Sequence, residues 1–438
     1  MLRRFAPRND GLTMPFKGAK RLALPLAISG LLLTVCLIVG CCSSGGQAGS
    51  GSGGRIHLEF WNTMEGAEAR IMPDLLRDFM TANPDIEVNE VKVDFYKARD
   101  KFIQGVNSGA GPDVMRADRF WLQEFVAKQL VRELGEAQIK EELADMVPIA
   151  RGVITHNEKY WAIPISVDCL GLFYNKKHLA EKGVSVPKNF DEFAAAAEKL
   201  TDANLGRYGF FIYPNGWYFE PFLFGFGGQY FAPDGSLAIN SDETRKAMQF
   251  LQHLKDGLKA VPPVSLRANA YQTMMHSFGG GQVSMMFSGP WAIRSVLSGA
   301  AFKDDTDNLG IAELPEGPHG SYSPTGCQTL VINKNSRSSE AALRFVKYMY
   351  SIEVQKQLSM VNFGLPARRA VFALPELKRD PYLQTFIRQL QMSRKIISSP
   401  RRGEIYAPLG DKLKAVLNGD ITPEYALNDF VTEWNNRR

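Results

Sequence analysis

Apolar residues follow two alternating periods along the first part of the chain. They recur at every second position in 56–60, which predicts a strand, and at helical spacing in 71–79, which predicts a helix. The same order continues as strand, helix, strand and helix at 86–93, around Phe102 and Ile103, at 113–115 and at 121–128. Strands that alternate with helices in this way are typical of a mainly parallel sheet covered by helices.

A second round of strands and helices begins after a predicted hairpin at about 154–164. The stretch 171–174 reads as a strand, and Asn189 followed by Glu192 has capping-box spacing before a helix. Further strands are predicted at 283–287 and 330–332, and further helices at 247–254, 342–349 and 426–434. Alternation on both sides of residue 170 predicts two α/β lobes rather than one large sheet.

A targeting segment precedes these elements. Lys17, Lys20 and Arg21 are followed by the apolar residues 22–39, and this run ends at Gly40-Cys41. The ending resembles a bacterial lipobox, which predicts a signal peptide at 1–40 and a diacylated Cys41. The alternative is an uncleaved signal anchor, because about 18 apolar residues can just span a membrane.

Met14 is a second candidate start, since a signal peptide that begins there has an ordinary length. The stretch 41–54 is rich in Gly and Ser and predicts a flexible tether.

The formal charge of +5 comes from the targeting segment. Six of the 51 basic residues and one of the 46 acidic residues precede Cys41, so the remaining chain is formally neutral. We therefore expect no nucleic-acid partner. Removal of Cys36 and acylation of Cys41 would leave Cys42, Cys169 and Cys327, and no CxxC, Cys/His or HExxH motif occurs. We expect neither a metal nor a cofactor.

Several ordered motifs resemble family 1 of the extracellular solute-binding proteins, the maltose-binding-like receptors of ABC importers. These are FWN, GPDVMRADRFW, YWAIPISVDCLGLFYNKKHL, VPKNFDEF, FGFGGQYF, GQVSMMFSGPWAI, TLVINKNS and FGLPARR. The resemblance implies a two-lobed periplasmic-binding-protein fold of type II, in which crossing strands join the lobes. It places the first lobe at 55–167 and 328–365, the second at 171–325 and 366–438, and the hinge at 168–170, 326–327 and about 365.

Candidate ligand contacts lie at predicted strand ends and in these motifs. A sugar needs flat apolar faces for its rings and planar polar groups for its hydroxyls, and ligands of α/β sheets bind beyond the carboxyl ends of strands. The candidates are Trp61, Asn62, Glu65, Asp118, Arg119, Trp217, Trp291, Gly326, Tyr322, Arg368, Arg402 and Tyr406. The alternatives are a Trp61 that packs on its own lobe and an Asp118 held in a surface ion pair.

Other aromatic and sulfur-containing residues are assigned to structure. Phe222, Phe224, Phe226, Met285 and Met286 are expected in the core, because strand or helix periodicity explains them without a ligand.

Two cysteines fall on segments that resemble the crossing strands of the family. Cys169 and Cys327 would form a disulfide there if their Cα atoms lie within about 7 Å, whereas the alternative is two buried free thiols.

The resulting hypothesis is an anchored extracytoplasmic monomer that captures a mono- or oligosaccharide and delivers it to an ABC permease without covalent chemistry. A polyol or a phosphorylated glycerol is an alternative ligand, and a sensor kinase is an alternative partner. An exported glycan-processing enzyme could use Glu65, Asp118 and Glu220, but the sequence has no nucleophile elbow, metal motif or phosphate loop.

Overall fold

A computed structural model describes residues 54–266, 269–392, 399 and 401–437. The predicted signal peptide at 1–40, Cys41 and nearly all of the predicted tether lie outside the described residues. Within the described part of the chain, no helix has both the length and the apolar character needed to cross a bilayer.

The described strands form two main sheets and one small hairpin. The strands are β1 (Ile56–Asn62), β2 (Ile86–Lys92), β3 (Val114–Asp118), β4 (Thr155–His156), β5 (Lys159–Tyr160), β6 (Ile163–Cys169), β7 (Gly171–Asn175), β8 (Tyr208–Phe211), β9 (Val283–Ser288), β10 (Leu309–Ala312) and β11 (Thr325–Ile332). One sheet has the order β2-β1-β3-β11-β6 and the other has the order β10-β7-β9-β8. We call the parts built on these sheets the first lobe and the second lobe.

Helices cover both sheets. They are α1 (Gly66–Ala82), α2 (Phe95–Ser108), α3 (Arg119–Ala127), α4 (Lys140–Asp145), α5 (Pro148–Ile154), α6 (Lys176–Glu181), α7 (Phe190–Leu200), α8 (Gly216–Gly225), α9 (Asp242–Gln252), α10 (Ala270–Gly279), α11 (Ile293–Leu297), α12 (Ser339–Met349), α13 (Ile352–Asn362), α14 (Arg369–Phe372), α15 (Pro375–Arg379), α16 (Pro381–Gln391), α17 (Tyr406–Asn418) and α18 (Pro423–Asn436). The predicted α/β class and two-lobed architecture are confirmed.

The expectation of mainly parallel sheets is wrong. In the first sheet β1 pairs in parallel with β2 and β3, but β11 is antiparallel to β3 and to β6. In the second sheet β8 and β9 are parallel, whereas β7 is antiparallel to β9 and to β10. The first sheet is mixed because β6, which leads into the second lobe, and β11, which returns from it, join the sheet as an antiparallel ladder without a helical crossover.

The chain passes between the sheets at a few closely spaced points. Strand β6 ends at Cys169 in the first sheet, and β7 begins at Gly171 in the second. Strand β11 returns alongside β6, with Thr325 opposite Cys169. The N–H of Val167 also donates to the carbonyl of Leu365, 2.9 Å away, which ties a third segment to the same place.

Two hydrophobic clusters form the core, one in the second lobe and one that extends from the first lobe to the other face of the second sheet. Successive side chains of β9 point to opposite faces, so Met285 packs with Phe193 and Phe210 while Met286 packs in the core shared with the first lobe. Both methionines are fully buried, which confirms that they belong to the core. The predicted core role is also confirmed for Phe222 and Phe224, while Phe226 packs partly buried against the same cluster.

Two local predictions are confirmed. The predicted hairpin is β4–β5, and its turn residues Asn157 and Glu158 have φ values of 50° and 62°. The predicted helix after Asn189 is α7, where the Oδ1 atom of Asn189 accepts from the N–H of Glu192 at 2.9 Å.

Cys169 and Cys327 are free, buried thiols, which corrects the expected disulfide. Cys327 lies opposite Val167, so Cys169 is its diagonal neighbour on the same face of the ladder. Diagonal side chains start about 7 Å apart, whereas a disulfide needs Cβ atoms about 3.8 Å apart. The Sγ atom of Cys169 instead lies 3.5 Å from the carbonyl oxygen of Phe386.

Candidate ligand-binding cleft

The carboxyl ends of the parallel strands form two edges that face each other. In the first lobe, Asp118 ends β3 and begins the turn into α3. In the second lobe, Trp291 follows β9. The lobes come into contact where the ring of Phe120, beside Asp118, meets that of Tyr406 at the start of α17, with centroids 5.0 Å apart in an edge-to-face arrangement. This placement is the one expected for a ligand cleft between two α/β sheets.

Asp118 lies at the floor of the cleft and is held by its own lobe. One carboxylate oxygen accepts from the N–H of Phe120 at 2.9 Å, which caps α3. The other accepts from the Nε2 atom of Gln328 on β11, also at 2.9 Å. Burial raises the pKa of Asp118, and these hydrogen bonds oppose the rise. The side chain is therefore positioned rather than free, and it is not a surface ion pair.

Asp168 is a second floor carboxylate, and it is absent from the predicted contacts. It is partly exposed at the end of β6, directly opposite Gly326 of β11. Burial and the charge of Asp118 raise its pKa to about 7. The sequence signal for Asp168 is that it is the one acidic residue of β6, a strand of mostly buried apolar residues. Strand periodicity alone does not distinguish such a residue from one at the edge of a sheet without a ligand.

Two arginines near these carboxylates offset their negative charge. The Nη1 atom of Arg119 donates to the carbonyl oxygen and the Oγ1 atom of Thr325, at 3.0 and 2.7 Å, which places the guanidinium against the crossing strand. Arg116, which was not predicted, donates to Thr63 at 2.9 Å and lies 3.6 Å from Glu68. Both positive charges oppose the rise in the pKa of Asp168.

The second lobe contributes an aromatic wall. The rings of Trp217 and Trp291 are 5.9 Å apart with an angle of 44° between their planes. Asn215 accepts from the backbone N–H groups of Trp217 and Tyr218, which fixes the start of α8. The indole N–H of Trp291 donates to the hydroxyl of Tyr271, 2.9 Å away. Both predicted tryptophans are partly buried and lie in one cluster.

Three tyrosines extend this wall and were not predicted as contacts. The ring of Tyr213 lies 4.8 Å from that of Tyr218 and 5.7 Å from that of Tyr271. Burial raises the pKa of Tyr213 and of Tyr271 to about 12, so both hydroxyls keep their protons at neutral pH. Tyr271 lies more than 50 positions from Tyr213 in sequence, and the two meet because α10, which carries Tyr271, packs on β9, the parallel neighbour of β8.

Arg402 and Tyr406 belong to a buried network with Glu220. The Nη2 atom of Arg402 donates to Oε1 of Glu220 at 2.8 Å, and the hydroxyl of Tyr406 donates to the same oxygen at 2.9 Å. Burial raises the pKa of Glu220, while the charge of Arg402 opposes the rise. Arg402 is buried and its Nε atom donates to the hydroxyl of Tyr406 at 3.1 Å, so it positions Tyr406, which is partly exposed and touches Phe120.

The predicted contact Trp61 is corrected. Its ring lies under α2, where a β-carbon on Gly105 would come within 3.3 Å of it. Its indole N–H donates to Glu59 at 2.6 Å, and the Nζ atom of Lys101 lies 4.4 Å from its ring centroid. Trp61 therefore packs on its own lobe, which was the alternative interpretation.

Asn62 is corrected in the same way, because its amide is used within the first lobe. It donates to Glu90 at 2.7 Å and accepts from the N–H of Met64 at 3.0 Å, and it is buried. Glu65 is exposed at the start of α1, and its charge contributes to a raised pKa of Tyr96.

Arg368 also serves the first lobe and is corrected as a ligand contact. Its Nε atom donates to Asp145 at 2.7 Å and its Nη1 atom to the carbonyl of Tyr350 at 3.1 Å. Tyr322 is partly buried against the core of the second lobe. No group of His, Cys, Asp and Glu suited to a metal ion occurs among the residues that the structure describes.

Residues 63–356 match the model of a protein family described as bacterial extracellular solute-binding proteins. The chain belongs to this family. Proteins of this family are binding proteins and not enzymes. The family therefore confirms the prediction that the chain has no catalytic activity.

Known relatives cover most of this solute-binding protein. The maltotriose-binding protein of Pyrococcus abyssi is 27% identical over 379 residues, which are 85% of this chain and 79% of the relative. The galactooligosaccharide-binding protein of Bacillus subtilis is 24% identical and covers 78% of this chain and 81% of its own length.

Solved structures show the same fold. The GacH receptor of Streptomyces glaucescens, solved without ligand and with acarbose, has a TM-score of 0.82 at 28% identity, over 87% of this chain and 98% of its own. Maltose-bound MalE3 of T. maritima has a TM-score of 0.79 at 24% identity, over 87% of this chain and 100% of its own.

Proposed function

We propose that this solute-binding protein captures a carbohydrate, of mono- or oligosaccharide size, between its lobes and delivers it to an ABC permease. The observation that carries this proposal is the pairing of an aromatic wall, Trp217 and Trp291, with a floor that holds Asp118 and Asp168. Aromatic faces cover the C–H surface of a sugar ring, while carboxylates accept strong hydrogen bonds from its hydroxyls.

The relatives support a sugar rather than another small solute. The names of two of them state binding of maltotriose and of galactooligosaccharides, and the GacH structure contains acarbose. A polyol is the second candidate, because an erythritol/L-threitol-binding protein of Mycolicibacterium smegmatis is 27% identical over 249 residues. That match covers about half of each chain. The matches to the maltotriose-binding and galactooligosaccharide-binding proteins cover more than three quarters of each chain.

Capture occurs by closure of the two lobes around the ligand. We propose that the lobes are 55–167 with 328–365 and 171–325 with 366–438, and the change of sheet between β6 and β7 supports the boundary at 168–170. The last boundary lies somewhat beyond residue 365, because Arg368 bonds to Asp145 and Tyr350 of the first lobe. Because floor and wall belong to different lobes, only the closed arrangement offers both to one ligand. A ligand therefore shifts the population toward closure.

Delivery requires that the receptor stay near its permease. We propose that a lipid on Cys41 anchors the protein outside the cytoplasm and that residues 42–54 act as the tether. The receptor acts as a monomer, and its partners are the membrane subunits of the importer. Labelling of cells with a radioactive fatty acid tests the anchor, since Cys41→Ala should abolish incorporation.

Isothermal titration calorimetry against monosaccharides, oligosaccharides, polyols and phosphorylated glycerols tests the ligand class. We expect a carbohydrate to bind, and Trp291→Ala to weaken binding about tenfold or more through loss of one stacking face. Tyr425→Ala is the matched control, because Tyr425 is exposed on α18. Failure of every carbohydrate to bind, or unchanged affinity in Trp291→Ala, would contradict the proposal.

A further inference from the structure

The third segment at the hinge begins where α13 ends. Helix α13 packs on α1 of the first lobe, and Phe363 follows its last residue. Two residues later, the carbonyl of Leu365 accepts from the N–H of Val167 at 2.9 Å, beside the change of sheet between β6 and β7. Phe363 therefore lies between a helix of the first lobe and the hinge.

The backbone of Phe363 is left-handed, with a φ of 56° and a ψ of 14°. A β-carbon makes this conformation costly, so glycine usually occupies it at the end of a helix. Gly109 and Gly419 do so after α2 and α17, and the N–H of each donates to carbonyls of the preceding turn. After α13 a phenylalanine takes this place, and the described structure has no such hydrogen bond from its N–H. Neither the residue type nor the usual capping bond accounts for the conformation.

Arg294 of the second lobe contacts this helix end. Its Nε atom donates to the carbonyl of Val361 at 2.6 Å, and its Nη2 atom donates to that of Met360 at 3.4 Å. Its guanidinium carbon lies 5.7 Å from the centroid of the Phe363 ring, within the range of a cation–π contact. Arg294 belongs to α11, which follows β9 of the second sheet, so these contacts join the two lobes.

Tyr382 also contacts the ring of Phe363. The two ring centroids are 6.1 Å apart, and the planes meet edge to face at 77°. Tyr382 lies in α16, which packs on β7 and β10 of the second sheet as well as on β6, and its hydroxyl donates to the carbonyl of Thr306 at 3.4 Å. A costly backbone conformation persists only where its surroundings hold it. The side chains that hold Phe363 in this way come from the second lobe.

We propose that Phe363 is a strained hinge residue, left-handed while the lobes are close and released from that conformation when they separate. Separation carries Arg294 and Tyr382 away from α13, which removes the contacts that hold the ring. The cost of the left-handed backbone then opposes closure and favours the open arrangement in the ligand-free receptor. The inference rests on the proposed function only for the solute that drives closure, because the bias itself exists without ligand.

Two variants at this position isolate the cost of the backbone conformation. Phe363→Gly and Phe363→Ala both remove the ring and its contacts, but only Phe363→Ala keeps the β-carbon that disfavours the left-handed region. We expect Phe363→Gly to bind ligand about 3- to 10-fold more tightly than Phe363→Ala. Without ligand, Phe363→Gly should also have the smaller radius of gyration in small-angle X-ray scattering. The probes for calorimetry of the full chain are maltotriose, galactotriose and erythritol.

Gly419→Ala is the matched control. Gly419 is left-handed at the end of α17 within the second lobe, and an added β-carbon there meets nothing within 4 Å. Gly419→Ala should lower the stability to urea but leave the ligand affinity and the radius of gyration unchanged. Phe363→Asn should fall between the two hinge variants, because asparagine tolerates the left-handed region, and it replaces Phe363→Ala if that variant does not fold.

Equal affinities and equal radii for Phe363→Gly and Phe363→Ala would mean that residue 363 keeps one conformation in both arrangements. That result overturns the hinge proposal and leaves carbohydrate binding intact. If no carbohydrate binds, the proposed function is overturned and the ligand-free radii decide the role of Phe363. A smaller radius for Phe363→Gly then supports the strained hinge, and equal radii overturn it.

Discussion

Asp168 and Gly326 lie opposite each other on β6 and β11, and a β-carbon on Gly326 would come within 1.9 Å of the Oδ1 atom of Asp168. The carboxylate of Asp168 therefore occupies the space that a side chain at position 326 would fill. Gly326 is one of the predicted ligand contacts, and its close contact in the structure is with this floor carboxylate.

Gly326→Ala should displace Asp168 and weaken ligand binding by about tenfold, the equivalent of about 1.4 kcal/mol. Gly152→Ala is the control, because Gly152 is exposed in α5 and an added β-carbon there meets nothing within 4 Å. That change should leave affinity unaltered and stabilise α5 by up to about 1 kcal/mol. Titration calorimetry and thermal denaturation measure the two effects, and equal affinity in both variants would contradict the assignment.

The sequence patterns predicted the strands and helices around this cleft better than they predicted which side chains line it. Trp291 and Asp118 are predicted contacts because each follows a recognisable strand within a motif that resembles the family. Trp61 also ends a strand, but α2 covers its ring through the close approach of Gly105. Which helix lies over a strand end depends on packing between distant segments, and local periodicity does not report it.

Asp168 was missed for a related reason. Its place in the cleft comes from strand order, with β6 at one edge of the first sheet and β11 beside it. Strand β11 separates β3 from β6 although it follows them by more than 150 residues. The antiparallel pairing of β11 was likewise invisible in a pattern of alternating strands and helices, which is why mainly parallel sheets were expected.

The stability of the ligand-free protein should depend on the protonation of Asp168. Folding raises its pKa from an ordinary 3.8 to about 7, so the folded state holds this proton more tightly than the unfolded state. The stabilising contribution is fully present below pH 3.8 and is lost as the pH rises through 7. Asp168→Asn should therefore raise the melting temperature relative to the wild type more at pH 8 than at pH 5, by on the order of 1–3 °C.

Asp234→Asn provides the control for this pH dependence. The hydrogen bonds from Ser236 lower the pKa of the exposed Asp234, so it is ionised at both pH values. Its effect on the melting temperature should be the same at pH 5 and pH 8. An Asp168→Asn effect that does not change with pH would show that the raised pKa is incorrect.

The two buried cysteines should react only after unfolding. Both are fully buried, and burial raises the pKa of each thiol, so the reactive thiolate is scarce in the native state. Iodoacetamide without reductant should modify Cys169 and Cys327 in denaturant and neither in the native protein, as read by peptide mass mapping. Detection of two peptides joined by a disulfide between Cys169 and Cys327 would contradict the conclusion that both thiols are free.

Asn189→Ala should cost about 1 kcal/mol of stability without changing ligand affinity. The substitution removes the acceptor for the N–H of Glu192 and the 2.9 Å bond from the Asn189 amide to the Glu192 carboxylate. Ser338→Ala is a matched control, because Ser338 precedes α12 but makes no capping hydrogen bond through its side chain. Urea denaturation should show the loss for Asn189→Ala alone, and equal losses would contradict the role of the cap.

Arg294 connects the lobes at the end of the cleft that lies beside Trp291. It extends from α11, after β9, and its Nε atom donates to the carbonyl of Val361 at 2.6 Å near the end of α13. Helix α13 packs on α1 of the first lobe. Its last carbonyls have no partners within the helix, and a cation there also interacts favourably with the helix dipole. The bond therefore favours the arrangement in which the lobes are close.

Arg294→Ala should shift the ligand-free protein toward a more open arrangement. We expect a larger radius of gyration in small-angle X-ray scattering and a ligand affinity that is lower by about 3- to 10-fold, because the ligand must then drive more of the closure. Arg344→Ala is the matched control, since Arg344 pairs with Asp85 at 2.6 Å within the first lobe and both side chains are exposed. If both variants scatter and bind as the wild type does, the contact of Arg294 with α13 does not contribute to closure.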